Sequence, residues 1–252
     1  MNFPLYIAKR YLFSKSKNNA INIITGIASI GIIVGTLALF VVLSVFSGLR
    51  DFSLSFSNTI DPDLKVNPIQ GKSFFISPKQ EKEIATIEGI ASYSKVVEER
   101  VLFVFDGKEQ VTYLKGVDVN YTNINAVSKN LFNGKWLRHK TAEVVVGYGI
   151  TQKLSLGLFD FNNDFEVYVP RKGKAIIESE AEAFNKSVLI PVGFYAISED
   201  LDGKYVFADL GLAQELLEYQ PNQVSGLEIK IQKGANEKVI IEQLQSIFKN
   251  TI

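Results

Sequence analysis

A handful of short segments in this sequence carry residue types that do chemistry. Gly71-Lys72-Ser73 reads like the end of a phosphate-binding loop, where backbone N–H groups cradle phosphates and the lysine reaches the outer ones. That loop needs a glycine five residues before the Gly-Lys pair, and Val66 stands there. Asp160, Asp164 and Glu166 offer carboxylates in FDFNNDFEV, but a calcium loop spaces its oxygens regularly around an internal glycine and closes with a bidentate glutamate. Glu98-Glu99 and Glu178, Glu180 and Glu182 lack a second group of fixed geometry for acid–base work and read as solvated charges. His139, in KWLRHK, is the single histidine; it rules out a multi-histidine metal centre and reads as a surface residue. Cysteine is absent, which excludes disulfides, cysteine nucleophiles and thiolate metal sites. The reading therefore assigns no catalytic residue, no metal ligand and no cofactor within the chain. With 27 basic residues against 27 acidic ones, the basic field that nucleic-acid binding requires is missing as well.

The elements around these segments point to a membrane instead. No charged residue occurs between Lys17 and Arg50, and 21–49 reads INIITGIASIGIIVGTLALFVVLSVFSGL. A helix of that length reaches roughly 40 Å, enough to span. A cleaved signal peptide has a much shorter apolar region and a small-residue cleavage site. Lys9, Arg10, Lys15 and Lys17 precede the span while Arg50 and Asp51 follow it and nearly cancel, so residues 1–20 are expected in the cytoplasm and those after the span outside. Phe3 to Phe13 suits an amphipathic helix lying on the inner membrane face. Gly31 and Gly35, four residues apart, would let a second helix approach closely.

Beyond the span, 51–60 fits a helix leaving the bilayer, broken at Asp61-Pro62-Asp63. A strand over 64–69 and a helix from Ser77-Pro78 to about Glu88, ended by Gly89, follow. Two strands, 90–105 and 110–119, flank the hairpin turn Asp106-Gly107. A strand at 226–232 and a helix at 237–248 return late in the chain. This pattern predicts an α+β sandwich split by an inserted, mixed, β-rich segment over about 120–222. Within the insertion, strands are expected at 143–146, 165–170, 187–197 and 205–207, with helices at 149–156 and 210–219.

Several of these stretches also resemble a known family. YIAKRYLFSKSKNNAINIITGIASIGIIVGTLALFVVLSVFSGLRD (Tyr6–Asp51), VVVGYGITQKLSLG (Val144–Gly157), FADLGLAQELLEY (Phe207–Tyr219) and VSGLEIKI (Val224–Ile231) resemble the lipoprotein-releasing, LolC/LolE-type permeases of ABC transporters, within the MacB-like and FtsX-like permease group. The resemblance implies an N-terminal transmembrane helix followed by an extracytoplasmic MacB-like domain. Its Porter-like subdomain would comprise 50–119 and 223–252, and its inserted Sabre-like subdomain 120–222. It implies three further membrane helices after the outer domain, so that the chain is the first half of a permease. It also implies a bacterial inner-membrane location, a cytoplasmic ABC ATPase that uses ATP, a second permease subunit, lipoprotein cargo and a periplasmic carrier. The work would be mechanical, by differential contacts in two states. A carrier-binding hook in this family corresponds to Arg171–Lys186 (RKGKAIIESEAEAFNK), with Ile176, Ile177 and Phe184 as apolar anchors. Two departures stand out: the family's proline-containing hook sequence is not reproduced, and LFDFNNDFE (Leu158–Glu166) replaces a short Gly-Asp turn. The alternative readings are a MacB-like exporter, an FtsX-like mechanotransmission protein, or a single-span membrane-anchored periplasmic adaptor.

Overall fold

The computed structural model describes residues 2–13, 19–158, 160, 162–171 and 183–248. The chain divides into two compact units, Met1–Ser55 and Phe56–Ile252. The first holds α1 (Phe3–Phe13) and most of α2 (Asn19–Ile60). Apolar residues run all round α2, and the stretch Ile23–Arg50 is long and apolar enough to cross a membrane, with none of it buried inside the chain. The helix continues past the apolar stretch and stops just before Asp61-Pro62, because a proline disfavours helical geometry in the residue ahead of it.

In the second unit the Asp106-Gly107 turn is observed as expected. Both residues have positive φ (48° and 71°), the geometry of a two-residue hairpin turn whose twist matches that of its strands. It joins β3 (Ile90–Phe105) to β4 (Lys108–Val117), with Phe105 opposite Lys108. The early strands are β1 (Leu64–Val66) and β2 (Phe74–Phe75). The later ones are β5 (Leu131–Gly134), β6 (Glu143–Gly147), β7 (Phe165–Pro170), β8 (Phe184–Tyr195), β9 (Tyr205–Asp209), β10 (Gln223–Val224) and β11 (Gly226–Ile231). Nine of them form one sheet, and β2 pairs separately with β10. Within the large sheet β3, β4, β9, β6, β8 and β7 pair in succession, and β7 pairs back onto β3, so six strands close a ring. β11 and then β1 extend from the first half of β3. The 16-residue β3 thus pairs with β11 through Ile90–Val96 and with β7 through Leu102–Val104.

The helices are α3 (Pro78–Ala85), α4 (Tyr121–Ile124), α5 (Tyr148–Leu154), α6 (Glu199–Asp202), α7 (Leu210–Leu216) and α8 (Glu237–Phe248). Phe103, Phe165, Val144, Val146, Val167 and Val206 belong to the larger core cluster, which extends to Ile84, Ile240, Leu244 and Phe248 on α3 and α8. A second cluster lies on the other side of the sheet, where Tyr121 and Val127 cover Val96, Val117, Val145, Tyr205 and Phe207. Burial of these apolar side chains is the main driving force for this fold. Most expected elements occur with ends shifted by a few residues, while β2, β5, β10, α4 and α6 were not anticipated. β8 starts at Phe184 rather than Ser187, because its pairing with β7 extends as far as Pro170 opposite Phe184.

Helix α3 starts with a capping box. Ser77 Oγ accepts a hydrogen bond from Gln80 N (3.3 Å), while the Gln80 side-chain oxygen accepts from Ser77 N (2.9 Å). Ser77→Ala removes one of the two reciprocal bonds and is expected to lower stability by about 1 kcal/mol. Urea unfolding of the segment 61–252 checks this, and no change would show that the box contributes nothing.

Candidate functional site

The chemically distinctive place in the second unit is where the chain leaves the sheet after β4 and returns to it at β11. Lys115, near the end of β4, donates to Glu228 Oε1 on β11 at 2.7 Å, and the two side chains are only 3% and 1% exposed. The ammonium also lies 5.2 Å and 5.0 Å from the ring centroids of Tyr121 and Tyr205, a distance at which the ring faces attract a cation. Burial, the largest influence on Lys115, favours the neutral amine. The Tyr121 phenol and the Glu228 and Glu98 carboxylates outweigh it and hold the group protonated well above the usual lysine range. Burial likewise pushes the Tyr121 and Tyr205 phenols up, keeping both neutral.

Glu98 on β3 continues this chain of charges towards the surface. It accepts from the Tyr205 hydroxyl at 3.2 Å and from Lys65 on β1 at 3.1 Å. Burial works against its charge, but Lys115 and Lys65 prevail and hold the carboxyl below the usual range. Two further side chains fasten the same region. Asp118 accepts from Ser94 Oγ (2.7 Å) and Lys95 N (2.9 Å), and Ser225 Oγ accepts from Glu98 N (2.7 Å) and donates to Val96 O (3.2 Å). Asp118 stands at the departure from the sheet and Ser225 at the return, so residues 94–98 of β3 hold both. Of these residues the sequence singles out Glu98 alone, and as a solvated charge; the structure corrects this, since its side chain is only 16% exposed and paired with Lys65 and Tyr205.

The β7–β8 hairpin is a second feature. Its strands remain paired up to the Arg171 N to Ala183 O hydrogen bond (2.9 Å), and Ile176 and Ile177 lie outside the described residues. Phe184 is half-buried in β8, opposite Pro170, with its ring 6.0 Å from that of Tyr168 in an edge-to-face contact. It therefore belongs to the paired base of the hairpin rather than to the connection. Asn185 accepts from Arg171 and donates to the Leu216 carbonyl, tying the base to α7. Gly31 and Gly35 lie on α2 four residues apart, with nothing within 4 Å of where a Cβ would be.

His139 corrects the expectation of a surface residue. It is partly buried, and its Nδ1 lies 3.0 Å from Asp209 Oδ1, while Asp209 Oδ2 accepts from Gly211 N at the start of α7. Lys72, the lysine of the phosphate-loop look-alike, is paired with Glu99 at 2.7 Å. Glu166 accepts from the Tyr168 hydroxyl and pairs with Lys186. Among the described residues no three His, Asp or Glu side chains cluster as metal ligands. What the arrangement offers is a fixed framework of buried charge and hydrogen bonds that holds β3, β4 and β11 together.

Comparison with known proteins agrees with this architecture. The family model described as MacB-like periplasmic core domain matches residues 25–247. The lipoprotein-releasing system transmembrane protein LolE of Haemophilus influenzae is 25% identical over 249 residues, covering 92% of this chain and 55% of that protein. LolC of the same organism is 48% identical over 54 residues, 21% of this chain and 14% of its own length. The chain therefore spans about half the length of LolE. The periplasmic region of MacB from Actinobacillus actinomycetemcomitans superimposes with a TM-score of 0.50 at 13% identity, over 73% of this chain and 81% of that one, a likeness of fold.

Proposed function

From the premise that this chain belongs to the family of MacB-like periplasmic core domains, we propose that it is the anchoring helix and outer domain of an ABC transporter permease that releases lipoproteins from the bacterial inner membrane. The observation that carries the reading is the LolE relationship, which extends over 92% of the chain rather than over the membrane helix alone. In this reading α2 spans the bilayer with 1–20 in the cytoplasm, following the excess of Lys9, Arg10, Lys15 and Lys17 on that side. Gly31 and Gly35 face another membrane helix, of this permease or of a second subunit. A separate cytoplasmic ATPase supplies the energy, and the outer domain hands cargo to a periplasmic carrier. Residues 50–119 with 223–252 act as the Porter-like part and 120–222 as the Sabre-like part. The work is done by differential contacts in two states and needs no reaction centre in this chain. The MacB-like family match also supports a second reading, either a MacB-like exporter, which a linked nucleotide-binding domain would favour, or an FtsX-like mechanotransmission protein.

The test of location is a pair of reporter fusions. A reporter after Ile60 is expected to behave as extracytoplasmic and one before Asn18 as cytoplasmic, and the reverse result would end the reading. The test of function is carrier binding. We assign the hook to the connection between β7 and β8, with Ile176 and Ile177 as its apolar anchors; Phe184, packed on Tyr168, supports the base. Replacing Ile176 and Ile177 by serine is expected to weaken carrier binding by about 2 kcal/mol or more in calorimetry, with thermal unfolding unchanged. Adding Phe184→Ser is expected to lower the melting temperature too, because it breaks the ring contact. Unchanged carrier affinity in the first variant would remove the hook.

A further inference from the structure

We infer that the root of the inserted segment 120–222 is a built-in clamp, which makes Phe56–Ile252 move as one rigid body rather than as two hinged subdomains. Two chain crossings connect the insertion to the split sandwich, at 117–120 and at 222–226, where β10 has already joined β2, and a hinge would have to flex at both. Each is fastened. Asp118 binds Ser94 and the Lys95 amide at the first crossing, and Ser225 binds the Glu98 amide and the Val96 carbonyl at the second. Both crossings therefore attach to one short piece of β3. The Lys115–Glu228 pair joins the strands on either side of that piece, three residues or fewer from each crossing, and is almost fully buried. Opening a hinge there would separate opposite charges that are almost fully buried, which is strongly unfavourable away from water.

Topology reinforces the clamp. β3 and β4 belong to the sandwich by sequence yet complete the six-strand ring with β6 to β9 of the insertion, so motion between the two parts would tear backbone hydrogen bonds between β4 and β9 and between β3 and β7. Interfaces so tightly paired move as rigid blocks; flexible hinges are built from a few unencumbered residues. If the chain works as a permease, movement delivered to any part of Phe56–Ile252 would then reach the β7–β8 hairpin undiminished. That consequence rests on the proposed function, whereas the clamp itself does not.

The chain contains no cysteine, so labels can be placed at will. Spin labels at Lys82→Cys on α3 and Lys153→Cys on α5, both exposed positions, report the separation of the two parts in the detergent-solubilised full chain. Lys82→Cys with Lys238→Cys on α8 provides a control within the sandwich. The expected result is a single distance no broader than the control. Two variants loosen the root: Glu228→Leu, and Asp118→Ala with Ser225→Ala, whose half-buried side chains can be removed without leaving a buried charge. In each the distribution is expected to broaden roughly twofold or split, as a local opening becomes populated. A broad or two-peaked distribution in the parent chain would overturn the proposal by showing a working hinge. An unchanged width in the folded Asp118→Ala, Ser225→Ala variant would overturn it by showing that the root bonds do not set the rigidity. No ATPase, cargo or carrier enters the measurement, so its outcome is separate from that of the transport reading.

Discussion

Glu228→Leu is expected to destabilise the second unit by about 3–5 kcal/mol, since removal of one member of a buried pair strands the other charge in a low-dielectric site. Lys115 is 3% exposed and cannot reach water without disturbing Tyr121 and Tyr205, whose rings flank its ammonium. Replacing both residues, as Lys115→Met with Glu228→Leu, should recover most of the loss, because two apolar side chains of similar volume need no partner. The pH dependence distinguishes this from simple loss of packing. In the parent chain the folded-state pKa of Lys115 lies above its unfolded value, so its contribution is fully present below the ordinary lysine value of 10.5 and disappears only as the pH rises through the folded value. Parent stability from this pair should thus be flat between about pH 6 and 9. In Glu228→Leu the dominant influence left on Lys115 is burial, which favours the neutral amine. With Glu98 still opposing that burial, the ammonium is held less firmly than in the parent, so the deficit should shrink as the pH rises past the ordinary lysine range. Urea unfolding of the segment 61–252 at several pH values gives both quantities. A loss below about 1 kcal/mol, or a double variant as unstable as the single one, would show that the pair is incidental.

The parts of this fold that sequence disclosed are those governed by local rules. The uncharged run before Arg50, the Asp106-Gly107 turn, the Ser77-Pro78 start of α3 and the period of α8 each depend on neighbours close along the chain, and each occurs where expected. The ring of six strands was not legible, because its closure depends on β7 pairing with β3 some sixty residues away. The clamp was hidden for a related reason. In GLEIKIQ the alternation assigns Leu227 and Ile229 to the core and Glu228 to solvent, which is sound for a sheet with one covered face. Here Tyr121 and Val127 cover the other face, so Glu228 is buried as well. The one available signal was apolar Tyr121, Ile124 and Val127 just after β4, which needed something to cover. His139 misled for the same reason, since its partner Asp209 is seventy positions away.

Gly116 carries the other large expected effect. It lies on β4 beneath α7, where an added Cβ would stand 2.3 Å from the Ala213 Cβ and 3.3 Å from the Leu210 Cα. The first distance is far inside van der Waals contact, and the atom met is the single methyl of an alanine, which has no rotamer with which to withdraw. The helix must move instead, and Ala213 and Leu216 are both buried in the main core. Gly116→Ala is therefore expected to cost about 3 kcal/mol, at the upper end for overpacking by one methyl, because backbone rather than side chain has to yield. The proposed cause can be isolated by transferring the methyl group. Gly116→Ala combined with Ala213→Gly puts the strand methyl into the space that the helix methyl vacates, and the remaining contact with Leu210 needs a shift of only a few tenths of an ångström. The pair should regain most of the lost stability, short by about 1 kcal/mol for a glycine in a helix interior. Ala213→Gly alone should cost about that same 1 kcal/mol or somewhat more, for the lost methyl contact. The coupling between the two positions, read from urea unfolding of all four proteins, is then about 2 kcal/mol or more in favour of the double variant. Additive losses would mean that α7 does not rest on Gly116 as described, and would equally undermine the hairpin support, since Asn185 holds the β7–β8 base through the carbonyl at the end of the same helix.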